Sequence, residues 1–222
     1  MKQAYFLTGT DTGIGKTFIT CALLRRARQL GFAAAGLKPV ASGTDAAGRN
    51  EDVEAIRAAS GVELAREIVN PYCFAAAIAP HLAAAEAGSA IRFAPIIAAC
   101  QEARQIADFV VVEGVGGFRV PLGADGDSAD LAVALGLPLI LVVGMRLGCI
   151  NHALLTAEAI AARGLRLAGW VANRIDPAMA RFDANLQTLE NLLPAPLLGV
   201  VPHAPDDGGG ASLNLPEVRR GE

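Results

Sequence analysis

Nine residues near the start of this 222-residue chain carry its clearest chemistry: Gly9-Thr10-Asp11-Thr12-Gly13-Ile14-Gly15-Lys16-Thr17. They come after a short apolar run at 4–8 and lead into a helix-forming segment, the setting a phosphate-binding loop requires. Glycines let the backbone curl so that its N–H groups point at phosphate oxygens. The positive end of the adjoining helix strengthens that field. Lys16 would then sit on the β- and γ-phosphates, and the Thr17 hydroxyl would ligate Mg²⁺. The spacing is irregular. The usual first glycine falls at Thr10, and Gly9 stands one residue too early.

Two other nucleotide readings fail on particular residues. A dinucleotide fingerprint needs G-x-G-x-x-G, but Gly13-Ile14-Gly15-Lys16-Thr17-Phe18 ends in Phe, and no acid closes the second predicted strand. A partitioning-type ATPase switch carries a second lysine early in its loop, and the aligned position here is Asp11. Such a switch, or a nonenzymatic nucleotide-binding module, stands as the alternative to an enzyme.

Phosphoryl chemistry needs a metal with oxygen ligands beyond one hydroxyl. Phe109-Val110-Val111-Val112-Glu113 is an apolar strand that delivers a carboxylate at its carboxyl end, where open parallel sheets bind ligands. Asp52 heads a predicted helix and is a second candidate, with an N-cap as its other possible role. Gly114-Val115-Gly116-Gly117 permits close backbone approach to a ligand. Of the 19 cationic residues only Lys2, Lys16 and Lys38 are lysine. A chain so biased toward arginine has kept lysine where a compact point charge matters. Lys38 ends the second predicted strand, ahead of a bent loop between Pro39 and Gly43 that carries the Ser42 hydroxyl. His81, His152 and His203 have no metal spacing, and no G-x-S-x-G elbow exists.

The elements that must hold these residues alternate. Strands are expected at 4–8, 33–40, 109–113, 139–143, 167–171 and 197–201. Helices are expected at 16–30, 52–60, 94–107, 151–163 and 178–193, the first burying Ile19, Leu23, Ala27 and Leu30. That order predicts α/β architecture, parallel strands linked by crossover helices. Hydrophobic residues make up 53% and charged residues 18%, which excludes a disordered chain. A net charge of −3 offers nucleic acid or anionic lipid no broad cationic surface. The apolar stretch 131–145 is too short and too glycine-broken to span a bilayer and is expected to be buried core. No secretory signal pattern is present, so the expected location is cytoplasmic. Cys21, Cys73, Cys100 and Cys149 lack patterned spacing and are expected reduced, in or near the core. Residues 205–222 form a polar, glycine-rich tail, expected to be mobile, after a domain at 1–204.

Taken jointly, several blocks resemble the dethiobiotin synthetase family of biotin biosynthesis. They are G-T-D-T-x-x-G-K-T from Gly9, K-P-V-A-S-G from Lys38, V-E-G-x-G-G from Val112, L-G-C-I-N-H from Leu147, G-W-V-A-N from Gly169 and P-A-P-L-L-G from Pro194. The resemblance spans about residues 4–203 and includes the irregular loop spacing. It implies a single-domain P-loop NTPase-like fold, a three-layer α/β/α sandwich with a mostly parallel central sheet. It implies an ATP-dependent ligase that carboxylates 7,8-diaminopelargonate with CO₂ and closes a cyclic urea. By position it places nucleotide on Gly13, Ile14, Gly15, Lys16, Thr17, Phe18, Asp52, Glu113, Gly114, Val115, Gly116, Asn173, Arg174, Pro202, His203 and Ala204, with Mg²⁺ on Thr17, Asp52 and Glu113. Substrate falls to Thr12, Lys38 and Ser42, and to Gly148, Cys149, Ile150 and Asn151 from the partner of a homodimer. Lys38 and Lys16 are the implied catalytic residues. Gly13, where the family often has an acid, and His203 depart from its pattern.

Overall fold

The computed structural model describes residues 2–204 and 213–217. Its centre is a six-stranded sheet, all parallel, in the order β10-β9-β8-β1-β5-β2. These strands are β1 (Gln3–Gly9), β2 (Ala34–Leu37), β5 (Phe109–Glu113), β8 (Leu139–Gly144), β9 (Leu167–Asn173) and β10 (Leu197–Val201). Their near-continuous apolar sequences reflect burial on both faces. Side chains alternate between those faces: Tyr5, Leu7, Phe109 and Val111 join one cluster, Phe6, Val110 and Val112 the other. The first cluster is closed by α1 (Lys16–Gln29) and α2 (Glu51–Ala59). The second lies under α5 (Phe93–Ile106) and α6 (Ser128–Leu135). α7 (Cys149–Ala162) and α8 (Phe182–Leu192) cover Leu141, Val143 and the fully buried Trp170.

Several expectations are corrected by tertiary context. The strand expected at 33–40 breaks at Lys38-Pro39, because Lys38 N–H turns away to the carbonyl of Val69 (2.8 Å). Beyond the break, β3 (Val40–Ser42) pairs in parallel with β4 (Tyr72–Phe74) as a separate two-stranded ribbon. The helix expected from 178 begins at Phe182, after Arg181 adopts a left-handed conformation. Leu30 is exposed rather than packed, since the chain has left α1 before it. Cys73 is exposed, while Cys21, Cys100 and Cys149 are buried. Five pieces have no counterpart among the expected elements: α3 (Arg66–Val69), β4, α4 (Pro80–Glu86), α6 and the hairpin β6 (Pro121–Gly123) with β7 (Gly126–Asp127). The expected mobile tail holds a docked segment. Leu213 is buried in the α1-side cluster, and Asn214 N–H donates to Leu198 O at 2.8 Å. Gly208-Gly209-Gly210 lies outside the described residues. No helix among those described is long and apolar enough to cross a membrane.

Candidate active site

Because every central strand runs the same way, all their carboxyl ends share one rim. Gly9 closes β1 there, Glu113 closes β5, Asn173 closes β9, and Lys38 comes directly after β2. The loop from Thr10 to Gly15 curls over this rim. Gly15 holds φ +85°, and a Cβ on it would fall 2.3 Å from Asn173 Nδ2, so only glycine fits. Beneath the loop the buried Ile14 side chain presses against Gly9 and Gly144. The Asn173 amide donates to the Ile14 carbonyl (2.7 Å), and Lys16 Nζ donates back to the Asp11 carbonyl (2.8 Å). The loop is thus tied at both ends by side chains that its own sequence does not contain or must fold back to supply.

A cavity of about 820 Å³ opens beside the loop. On its floor lies the buried Glu113 carboxylate. Oε1 accepts from Thr17 Oγ1 (2.7 Å) and Lys38 Nζ (2.5 Å), and Oε2 accepts from Thr20 Oγ1 (2.7 Å). Lys38 Nζ also lies 3.1 Å from Asp52 Oδ2, so one ammonium bridges two carboxylates. Burial pulls Lys38 down, but Glu113 and Asp52 outweigh it and hold the ammonium above the ordinary lysine value. Among the described residues no carboxylate contacts Lys16. Burial, aided by the Lys38 charge, pulls it down to about 8 against Glu113, Asp52 and Asp11. Thr17, Asp52 and Glu113 offer hydroxyl and carboxylate oxygens within one cluster, the hard donor set that magnesium takes, with room for phosphate oxygens alongside. The set fits that ion.

Of the residues singled out in the sequence, the cavity gathers Thr12, Gly13, Gly15, Lys16, Thr17, Phe18, Lys38, Ser42, Asp52, Glu113, Val115 and Gly116. Ile14 is a plug under the loop and Gly114 packs on Phe6, so neither side faces the opening. Asn173 lies outside the cavity lining and meets the loop through its bond to the Ile14 carbonyl and its packing on Gly15. Arg174 stacks on Phe182 (4.9 Å), with its N–H on the Val201 carbonyl, which sets Pro202, His203 and Ala204 just past the same edge. Gly148, Cys149, Ile150 and Asn151 form the start of α7 outside the cavity lining, linked to the loop by an Arg146–Asp11 ion pair (2.7 Å).

Sequence reasoning missed several neighbours. Asn50, not Asp52, caps α2: its side chain accepts from Val53 N–H, and its amide donates to the Gly43 carbonyl (2.6 Å). An Asn ahead of an acidic first turn could have signalled this. Thr20 stands three residues after Thr17 on one helix face, also a legible spacing. The wall formed by Ala77, Ile78, Ala79 and Pro80 had no signal.

A family model described as an AAA domain matches residues 3–208. The chain is 60% identical to the ATP-dependent dethiobiotin synthetase BioD of Aromatoleum aromaticum over 96% of its own length and 98% of that protein's. It is 56% identical to the same-named protein of Ralstonia nicotianae, over 90% and 89%. Among solved structures, the MinC:MinD cell division protein complex of Aquifex aeolicus superposes with a TM-score of 0.56. The two share 14% identity over 94% of this chain and 86% of that one. At that identity the likeness shows the P-loop fold alone.

Proposed function

Since the chain belongs to the ATP-dependent dethiobiotin synthetase family, we propose that it joins CO₂ to 7,8-diaminopelargonate and closes the cyclic urea at the expense of ATP, in biotin synthesis. The observation that carries the reading is the buried Lys38–Glu113 pair, extended by Lys38 to the half-exposed Asp52, in one cavity with the Lys16 loop.

In the first step one substrate amine takes up CO₂, releases a proton and becomes a carbamate. Lys38 and Lys16 supply the cationic field for that anion and for the γ-phosphoryl group. Loop N–H groups and the start of α1 hold the triphosphate tail. The carbamate oxygen then takes the γ-phosphoryl group, leaving ADP. The second amine attacks the carbonyl carbon, loses a proton and expels phosphate. Residues of this chain act by binding and orienting, which is most of what phosphoryl transfer asks of a protein. Thr17, Asp52 and Glu113 would hold Mg²⁺, which when bound neutralises developing phosphate charge.

Ser42 Oγ is buried without a hydrogen-bond partner among the described residues and lines the cavity, as a group awaiting a polar ligand would. The apolar wall Ala77, Ile78, Ala79 and Pro80 suits the methylene chain of the diamine. Adenine would lie toward Asn173, Arg174, Pro202, His203 and Ala204, with the loop residues Gly13 to Phe18 and Gly114 to Gly116 on the phosphates. Gly148, Cys149, Ile150 and Asn151 of the partner subunit of a homodimer would meet the substrate carboxylate through a helix N-terminus. Leu147 beside them is 92% exposed, a surface a second copy would cover. Residues 1–204 would carry the reaction, with 205–222 as an appended tail. The compartment proposed is the cytoplasm, where the exposed Cys73 thiol stays reduced.

Phosphate release measured with and without 7,8-diaminopelargonate and bicarbonate tests the reaction. Release that requires both supports it. Release indifferent to the diamine, or binding of ATP without turnover, would replace it with a nucleotide switch or a passive binding module.

A further inference from the structure

We propose that Thr20 is a positioning residue for Glu113: its hydroxyl pins Oε2 so that only Oε1 is left to serve the cavity. The inference rests on the reading of Glu113 as a magnesium ligand. Four threonines of this chain lie in helices. Thr156 and Thr188 spend their hydroxyls on their own helix, donating to His152 O and Ala184 O, the usual habit of a helical threonine. Thr17 and Thr20, one turn apart in α1, instead cross to the end of β5 and take one Glu113 oxygen each. The two bonds are not equivalent. Oε1 is shared with Lys38 as well as Thr17, and Thr17 lines the cavity. Among the described residues Oε2 has Thr20 alone as a side-chain donor, and Thr20 is fully buried and outside the cavity lining.

A carboxylate can turn about its last torsion, which is broad for glutamate. The Thr20 bond removes that freedom. It also satisfies the oxygen that faces away from ligand, which would otherwise be a buried unpaired acceptor. With Oε2 held, Oε1 is presented in one direction, between Thr17 and Lys38, and Glu113 meets a metal through a single oxygen. Thr20 touches neither nucleotide nor metal and acts through Glu113, the role outer partners play at metal sites.

The test compares wild type, Thr20→Val, which keeps the shape and loses the hydroxyl, and Thr20→Ser, which restores it. Free Mn²⁺ is monitored by electron paramagnetic resonance in the presence of ADP, and ADP binding is measured separately in EDTA. Thr20→Val should weaken Mn²⁺ binding by about tenfold or more, the range outer-partner changes produce, and Thr20→Ser should restore most of that loss. ADP affinity in EDTA should not move. Wild-type protein that binds no Mn²⁺ with ADP would remove the metal reading itself and this proposal with it. Wild-type binding matched by Thr20→Val would overturn the role of Thr20 alone. Should Thr20→Val not fold, a crystal structure of the wild-type Mg·ADP complex decides. Oε2 still on Thr20 with Oε1 toward the metal supports the proposal, and Oε2 turned to the metal overturns it.

Discussion

Lys38 was visible in the sequence as one of three lysines among 19 cations, yet nothing local said that it would lie between two carboxylates. That placement changes what its removal does. Lys38→Ala should lower turnover by orders of magnitude, and it also strips a buried partner from Glu113. Loss of a buried pair's partner costs about 3–5 kcal/mol. The Thr17 and Thr20 donors remain on Glu113 and Asp52 is half-exposed, so roughly 2–3 kcal/mol is expected from urea unfolding. Unchanged stability would show that the ammonium contributes nothing net, and near-normal phosphate release would remove Lys38 from the mechanism. The cysteines give a second residue-scale outcome. Burial raises the Cys21 thiol to about 11 and also pushes Cys100 and Cys149 up, whereas Cys73 is exposed. Ellman's reagent at neutral pH should therefore label Cys73 promptly in the native protein and the other three only after unfolding.

At the scale of elements, the strand–loop–helix unit from β1 to α1 was legible because its signals are local: an apolar run, glycines, then helical spacing of Ile19, Leu23 and Ala27. Its closure was not. Gly15 is required by Asn173, far along the chain, which no window of sequence around the loop contains. Gly15→Ala should cost about 1–2 kcal/mol through its left-handed backbone alone, and the clash with Asn173 should abolish ADP binding in a calorimetric titration. The break at Lys38-Pro39 was missed for a related reason. The donor that ends β2 finds its acceptor on Val69, in a helix of four residues too short to leave a periodic pattern. α2 offers the complementary test. Asn50→Ala removes its cap and the amide that holds the Gly43 carbonyl, so a loss of about 1 kcal/mol should accompany a raised KM for the diamine with ATP binding unchanged. An unaltered KM would separate the Ser42 loop from substrate binding.

On the scale of the whole molecule, the rim is a consequence of parallelism: six strands pointing one way deliver their terminal residues to one edge without any of them being near in sequence. The proposed second copy belongs to this scale too. Leu147→Asp should give a monomer by sedimentation velocity and lose turnover while keeping ADP affinity, if the start of α7 completes the neighbouring site. A dimer unaffected by that charge would place the interface elsewhere. What the sequence determined alone was everything set by short-range periodicity and residue chemistry: alternating elements, a phosphate loop, an acid at a strand end, a composition rich enough in apolar residues to build a core. Tertiary structure alone decided that Glu113 receives Thr17, Thr20 and Lys38 at once, that Asn173 locks the loop, and that Leu213 docks on the core. Hydrogen bonds and ion pairs act over a few ångströms of space, whereas a periodic pattern records only neighbours along the chain, so contacts between distant segments leave no trace in it.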